Sequence, residues 1–351
     1  MKFWEKQNNQ TIKCLACVHG CQLSKGQAGI CGVRKNIGSS LELLVYGRPC
    51  SVNVDPIEKK PLYHFLPGTS VLSLGTIGCN FRCAFCQNWQ ISQANKMNNE
   101  QLATNNKQGT MNNGQRIINS FEYISPEKIV ELAIENDCAS IAHTYNEPTI
   151  WLEYALDIMK LARAKGLKNV FVSNGYQSAK SAKYLSCYLD AINIDLKSFN
   201  NEFYLKTCGA KLQPVLDNIA RFYQAGVWLE ITTLLIPGEN DSDDELTKLA
   251  EFIVQLDKEI PWHLSAFHGD YLMAGKQATT YEQLSRAKEI GRQAGLKYIY
   301  LGNILTSQDA NTYCPVCGEL LIERDNFSAC PVGLSITGQC QHCQSALAGK
   351  Y

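Results

Sequence analysis

The chain has 351 residues, enough to bury a sizeable core in one large domain with small appendages. Its 33 Lys+Arg balance its 33 Asp+Glu, which argues against a global basic field for nucleic acid or anionic lipid. Sixteen cysteines, no apolar leader at Met1-Lys2-Phe3-Trp4 and no apolar run long enough to span a bilayer point to a soluble, cytoplasmic metal-binding protein, not a disulfide-bonded one.

Residues 1–60 read as a cysteine-rich head. Cys14, Cys17, Cys21 and Cys31 follow the spacing C-x2-C-x3-C-x9-C, ahead of Gly32-Val33-Arg34. Four thiolates this close suit either tetrahedral zinc or a second iron–sulfur cluster. His19 lies inside this knot and either replaces one cysteine or simply packs, while Cys50 reads as core. The stretch from Asp55 to Gly68, with Lys59, Lys60 and His64, reads as a solvated turn with a satisfied polar contact, the alternative being that the lysine pair and His64 face an active site.

A strand over 71–77 leads into Gly78-Cys79-Asn80-Phe81-Arg82-Cys83-Ala84-Phe85-Cys86-Gln87-Asn88-Trp89. The spacing C-x3-C-x2-C supplies three thiolates. A [4Fe–4S] cube normally takes four, so three leave one iron open to a small molecule. Structural zinc sites are closed by four ligands, usually in paired C-x2-C halves, and fit this triplet poorly. Residues 93–120 are rich in Asn and Gln and read as a surface loop, either an insertion or a lid.

From Val71 to Gly302 strands and helices alternate. Short β-branched or aromatic runs at 71–77, 139–143, 168–173, 190–195, 227–235, 262–267 and 297–301 predict strands. Ser125-Pro126-Glu127 opens a helix with a cap, a proline at its first position and an early acid. Further helices are predicted over 150–164, 213–224, 243–256 and 280–294, several ending near glycine. The alternation predicts a parallel sheet with helices outside it, in about six units, short of the eight of a closed barrel.

Polar residues gather at the strand ends, where α/β folds bind ligands. Asn146 and Glu147 follow the 139–143 strand, though an acid at a helix start is equally favoured there by the helix dipole. Ser173 and Asn174 end the next strand, Asp195 and Lys197 the one after it. Glu230 is an acid in an apolar run, and His268 lies in a turn after the 262–267 strand. In the tail, Cys314-x2-Cys317 and Cys340-x2-Cys343 fit a zinc ribbon, with Cys330 a spare thiol or a ligand of a cluster instead.

The Cys79–Cys86 triplet and its setting resemble the radical S-adenosylmethionine (SAM) superfamily. That resemblance implies a partial (β/α)6 TIM-like barrel over 61–306, with Cys-rich extensions at 1–60 and 307–351. It implies that the cluster's open iron chelates the amino and carboxylate groups of SAM. SAM is then cleaved to methionine and a 5′-deoxyadenosyl radical that abstracts hydrogen from a substrate. Tyr145-Asn146-Glu147-Pro148 matches the superfamily's Gly-Gly-Glu-like motif but lacks its glycines. The resemblance places Phe85, Gln87, Asn146, Glu147, Ser173, Asn174, Asp195, Lys197, Glu230 and His268 around SAM. Over nearly the whole chain, with Lys60-Pro61-Leu62-Tyr63-His64-Phe65 and Asn88-Trp89-Gln90-Ile91-Ser92 as further landmarks, it is similar to the radical SAM member of the AmmeMemoRadiSam system. That family is related to pyruvate formate-lyase activating enzymes. It implies Memo-like and AMMECR-like partners and a reductant such as flavodoxin or ferredoxin. The rival readings are an activase that makes a glycyl radical on a protein partner and a non-catalytic zinc-rich scaffold.

Overall fold

The computed structural model describes residues 2–8, 10–38, 40–94, 123–304 and 308–351; all but the first two residues of the predicted 93–120 loop lie outside these. The chain divides into two compact units, Met1–Asp55 with Val71–Asp190, and Pro56–Ser70 with Ala191–Tyr351.

The first unit opens on short antiparallel strands. β1 (Trp4–Lys6), β2 (Thr11–Cys14) and β3 (Gln22–Ser24) pair in that order, and β4 (Arg34–Asn36) pairs with β5 (Leu41–Leu43). β6 (Ser51–Pro56) lies beside β7 (Ser70–Gly75), and β7 runs parallel to β8 (Ser140–His143), which runs parallel to β9 (Lys168–Ser173). The register Val71↔Ser140↔Lys168 brings the carboxyl ends of these three strands level.

The helices form where the sequence calls for them. α1 (Pro126–Glu135) starts at Ser125, whose hydroxyl accepts from the Lys128 amide, and it buries Ile129, Val130 and Ala133 on one face. α2 (Leu152–Ala164) is apolar on most of its circumference and is buried accordingly; Gly166, in the left-handed region at φ +83°, ends it. α3 (Ala179–Leu185) is seven residues long, too short for sequence periodicity to reveal.

The second unit carries β10 (Ala191–Asp195), β11 (Trp228–Leu235), β12 (Trp262–Ala266) and β13 (Ile299–Gly302), all parallel. Helices α4 (Gln213–Gln224), α5 (Asp243–Leu256) and α6 (Tyr281–Ala294) alternate with them. α6 begins with a reciprocal Thr280/Gln283 capping box. Three antiparallel strands close the chain, β14 (Thr312–Tyr313), β15 (Leu320–Asp325) and β16 (Ser328–Pro331). These are not a loose appendage. Tyr63, Tyr298, Tyr300, Leu321, Ile322 and Leu347 form one buried cluster. Arg324, 1% exposed, lies 4.1 Å over the Tyr63 ring and donates to the Tyr63 and Ala310 carbonyls and the Thr312 hydroxyl. The turn expected to be solvated is buried: Lys60 is 2% exposed, and His64, fully buried, bridges the Ala348 carbonyl and the Tyr300 hydroxyl.

Candidate active site

In the first unit the loop after β7 is built by its neighbours. Gly78, at φ +90°, takes the Ile91 carbonyl with its amide, which folds the loop back on itself. The Phe81 amide points at Cys79 Sγ (3.4 Å), the Cys86 amide donates to the Cys83 carbonyl, and Cys86 Sγ lies 3.1 Å from Ser92 Oγ. Burial pushes the Cys79 thiol well above its ordinary range, and Cys83, Glu147 and Cys86 push it further by like-charge repulsion. Three thiols and a carboxylate crowd one another here, and a bound cation inverts that penalty. Asn80, fully buried, keeps an amide nitrogen with no acceptor among the described residues. A cation held by thiolates fits this donor set.

The 144–147 turn clamps that loop. Asn146 Nδ2 donates to the Gly78 carbonyl at 2.8 Å and to Thr76 Oγ1 at 3.1 Å, and Asn88 Nδ2 donates to the Tyr145 carbonyl at 2.8 Å. Gly75 permits the approach, since a Cβ there would stand 2.7 Å from the Thr144 carbonyl oxygen. Tyr145 sits at φ +69°, a backbone region that favours glycine, which accounts for glycines in the motif it departs from. Its phenol donates to Asp55 Oδ2 at 2.8 Å and accepts from Asn53, so the side chain is anchored on β6.

Glu147 is 2% exposed and already saturated from its own unit. Its carboxylate accepts from the Thr149 amide and hydroxyl, the Ser173 hydroxyl and the Asn174 amide (2.7 Å). Burial nonetheless lifts its pKa, because these donors are neutral. Asn174 Nδ2 reaches Asn80 Oδ1 at 2.8 Å. Hydrogen bonds thus join Cys79, Asn80, Asn174, Glu147 and Ser173, while Asn146 meets the same loop at the Gly78 carbonyl. Phe85 is buried and Gln87 half-buried in the same loop.

The other expected residues belong to the second unit. Lys197 Nζ lies 3.0 Å from Asp195 Oδ2 past the end of β10, and Asn240 ties the Lys197 and Leu234 carbonyls together. His268 is exposed after β12, within 3.2 Å of Asn303. Glu230 lies five residues before the end of β11, fully buried. It accepts from the Tyr63 and His64 amides, from Trp228 Nε1 and from His263 Nε2 at 2.6 Å. Burial pushes this carboxyl up, but the hydrogen bonds it accepts from His263 and Trp228 outweigh that and hold it below the usual range. His263, Arg324 and Asn80 escaped the sequence reading; only Asn80, inside the triplet, carried a positional signal.

Cys314, Cys317, Cys340 and Cys343 bring all their sulfurs within 4.8 Å of one another, with Cys314–Cys343 at 3.6 Å and Cys317–Cys340 at 3.7 Å. Exposed Cys330, on β16 opposite Glu323, stands outside this tetrad. No described helix is long and apolar enough to cross a membrane.

Residues 74–250 match the family described as the radical SAM superfamily. An uncharacterized protein of Methanocaldococcus jannaschii is 40% identical over 97% of this chain and 96% of its own length. Pyruvate formate-lyase-activating enzymes are similar over about half the chain. That of Listeria monocytogenes is 24% identical over 51% of this chain and 67% of its own, and that of Clostridium pasteurianum is 20% identical over 53% and 72%.

Proposed function

The chain belongs to the radical SAM superfamily, and from that premise we propose that it binds SAM at a [4Fe–4S] cluster held by Cys79, Cys83 and Cys86 and uses it for hydrogen abstraction. When bound, this group supplies an open iron for the amino-acid end of SAM and the electron that cleaves SAM to a 5′-deoxyadenosyl radical. One observation carries the reading: three thiols of one loop, crowded with a buried carboxylate, are braced by side chains from the ends of β8 and β9. Asn146 and Asn88 fix the loop, Glu147 fixes Ser173 and Asn174, and Phe81 and Phe85 exclude water. We read Glu147 as a positioning residue and Glu230 as a structural one. Asp195, Lys197 and His268 remain SAM contacts on the strength of the resemblance alone.

The likeness to pyruvate formate-lyase-activating enzymes supports a second reading, in which the substrate is a protein and the product a glycyl radical. A cytoplasmic setting, a partial (β/α)6 barrel, a flavodoxin or ferredoxin donor, and Memo-like and AMMECR-like partners complete the proposal. The C-terminal tetrad we assign to zinc, since Zn–S bonds of about 2.3 Å in a tetrahedron set sulfurs about 3.8 Å apart, close to the distances seen. The test is anaerobic reconstitution with iron and sulfide, followed by reductant and SAM. 5′-Deoxyadenosine should form with the wild type and not with Cys83→Ala; equal product from both would refute the site.

A further inference from the structure

We propose that Cys14, Cys17, Cys21 and Cys31 hold a second iron–sulfur cluster, closed by four thiolates, that passes electrons to the Cys79 centre by way of His19. The relay rests on the SAM-cluster reading above; the four-thiol site does not.

The knot is shaped for thiolate ligation. Cys14 ends β2 and its amide donates to the Cys21 carbonyl on the way into β3. A Cβ added at Gly29 would stand 3.6 Å from Cys21 Sγ and 3.8 Å from Cys31 Sγ, so both sulfurs converge on that glycine. Cys17 feels the charge of Cys14, Cys31 and Cys21 together. Backbone amides aim at the sulfurs, His19 at Cys17, and Val33 and Arg34 at Cys31, as the Phe81 amide aims at Cys79. Arg34, 1% exposed, faces Cys14 and Cys31 electrostatically while its fork grips Glu153. Its Nε has no acceptor among the described residues. A buried cation and three inward amides suit an anionic centre.

The C-terminal tetrad brings its four sulfurs within 4.8 Å of one another, close enough for one ion to bind them all. The four thiolates of the N-terminal knot suit a [4Fe–4S] cube, which takes one thiolate on each iron.

The knot also touches the loop it would serve. Cys17 bridges Gln177, the Val18 amide donates to the Tyr176 carbonyl, and Tyr176 packs edge-on against Phe81. His19 Nε2 donates to the Asn80 carbonyl at 2.9 Å, one residue from Cys79. Two peptide links and one hydrogen bond therefore join Cys17 to the neighbour of Cys79. With both groups bound, one electron from an external low-potential donor would reduce the four-thiol cluster and pass on to the SAM-binding one, which would leave the four-thiol cluster oxidised again. No bond or proton changes at His19.

The test uses the full chain with Cys79→Ala, Cys83→Ala and Cys86→Ala combined. After anaerobic reconstitution it should keep about four irons and as much sulfide per chain, where the wild type holds about eight. Its reduced electron paramagnetic resonance (EPR) signal should ignore added SAM. Zinc bound at the C-terminal tetrad, counted in the same sample, reports folding. A variant that keeps that zinc but holds no iron, or a second zinc instead, overturns the cluster. The relay is read in His19→Phe by freeze-quench EPR during reduction with dithionite-reduced flavodoxin. The SAM-responsive signal should appear severalfold more slowly while the other signal keeps its rate. Unchanged rates for both overturn the route. A wild type lacking any SAM-responsive signal would defeat the parent reading and the relay together, while iron in the triple variant still decides the four-thiol site.

Discussion

Two glutamates, one in each unit, are fully buried on parallel-strand scaffolds, and their surroundings pull them in opposite directions. Glu147 follows the end of β8 and is held by neutral amides and hydroxyls, so burial wins and its pKa rises. Glu230 lies inside β11 against His263 and the backbone before His64, and its pKa falls. In α/β folds the carboxyl ends of strands carry function and the amino ends carry stability. The pair follows that rule: Glu147 shares a network with a thiol, whereas Glu230 locks His263, Trp228 and the 63–64 backbone.

The contrast breaks most readily at Glu230. Glu230→Gln should destabilise the protein by about 3–5 kcal/mol, because an amide nitrogen in place of either carboxylate oxygen leaves two buried donors without an acceptor. The denaturation midpoint measures this; weakened SAM binding with unchanged stability would instead return Glu230 to the cofactor. Acid should act on the same lock. Burial lowers His64 from 6.5 to about 4, so the unfolded chain binds the extra proton between those values. Stability is full above pH 6.5 and falls as pH drops towards about 4, by a maximum on the order of 3 kcal/mol from this group. A midpoint flat across that window would contradict the buried, neutral histidine.

Glu147→Gln should leave iron content intact and lower SAM cleavage roughly 10–100-fold, as loss of a group that orients ligating residues does. Loss of the iron itself would show that Glu147 holds the loop together. A loss of similar size, read in stability and not in rate, belongs to Tyr145→Phe, which removes a hydrogen bond to the Asp55 carboxylate and should cost about 1.5–3 kcal/mol. Thermal unfolding checks it, and an unchanged melting temperature would mean the phenol contributes nothing to holding the turn.

What could be read from the sequence was local. The C-x3-C-x2-C spacing, the Ser125 cap and the β-branched runs each depend on neighbours a few residues away, and the strands and long helices fall within one or two residues of expectation. An acid in an apolar strand looks the same whether it serves a ligand or a lock. Glu230 acquires its meaning from Tyr63 and His64, more than 160 positions away, and from His263. Tyr145 departs from a glycine motif for a reason visible only once Asp55, 90 residues earlier, receives its phenol. Seven-residue α3 and edge strand β6 were too short or too polar to announce themselves.

The most direct measurement is electron–nuclear double resonance on the reduced, reconstituted protein with SAM labelled by ¹⁷O in its carboxylate. Direct hyperfine coupling between the label and the cluster is expected in the wild type and should vanish in Cys83→Ala. A reduced wild-type cluster with no such coupling at saturating SAM would contradict an open iron at Cys79, Cys83 and Cys86.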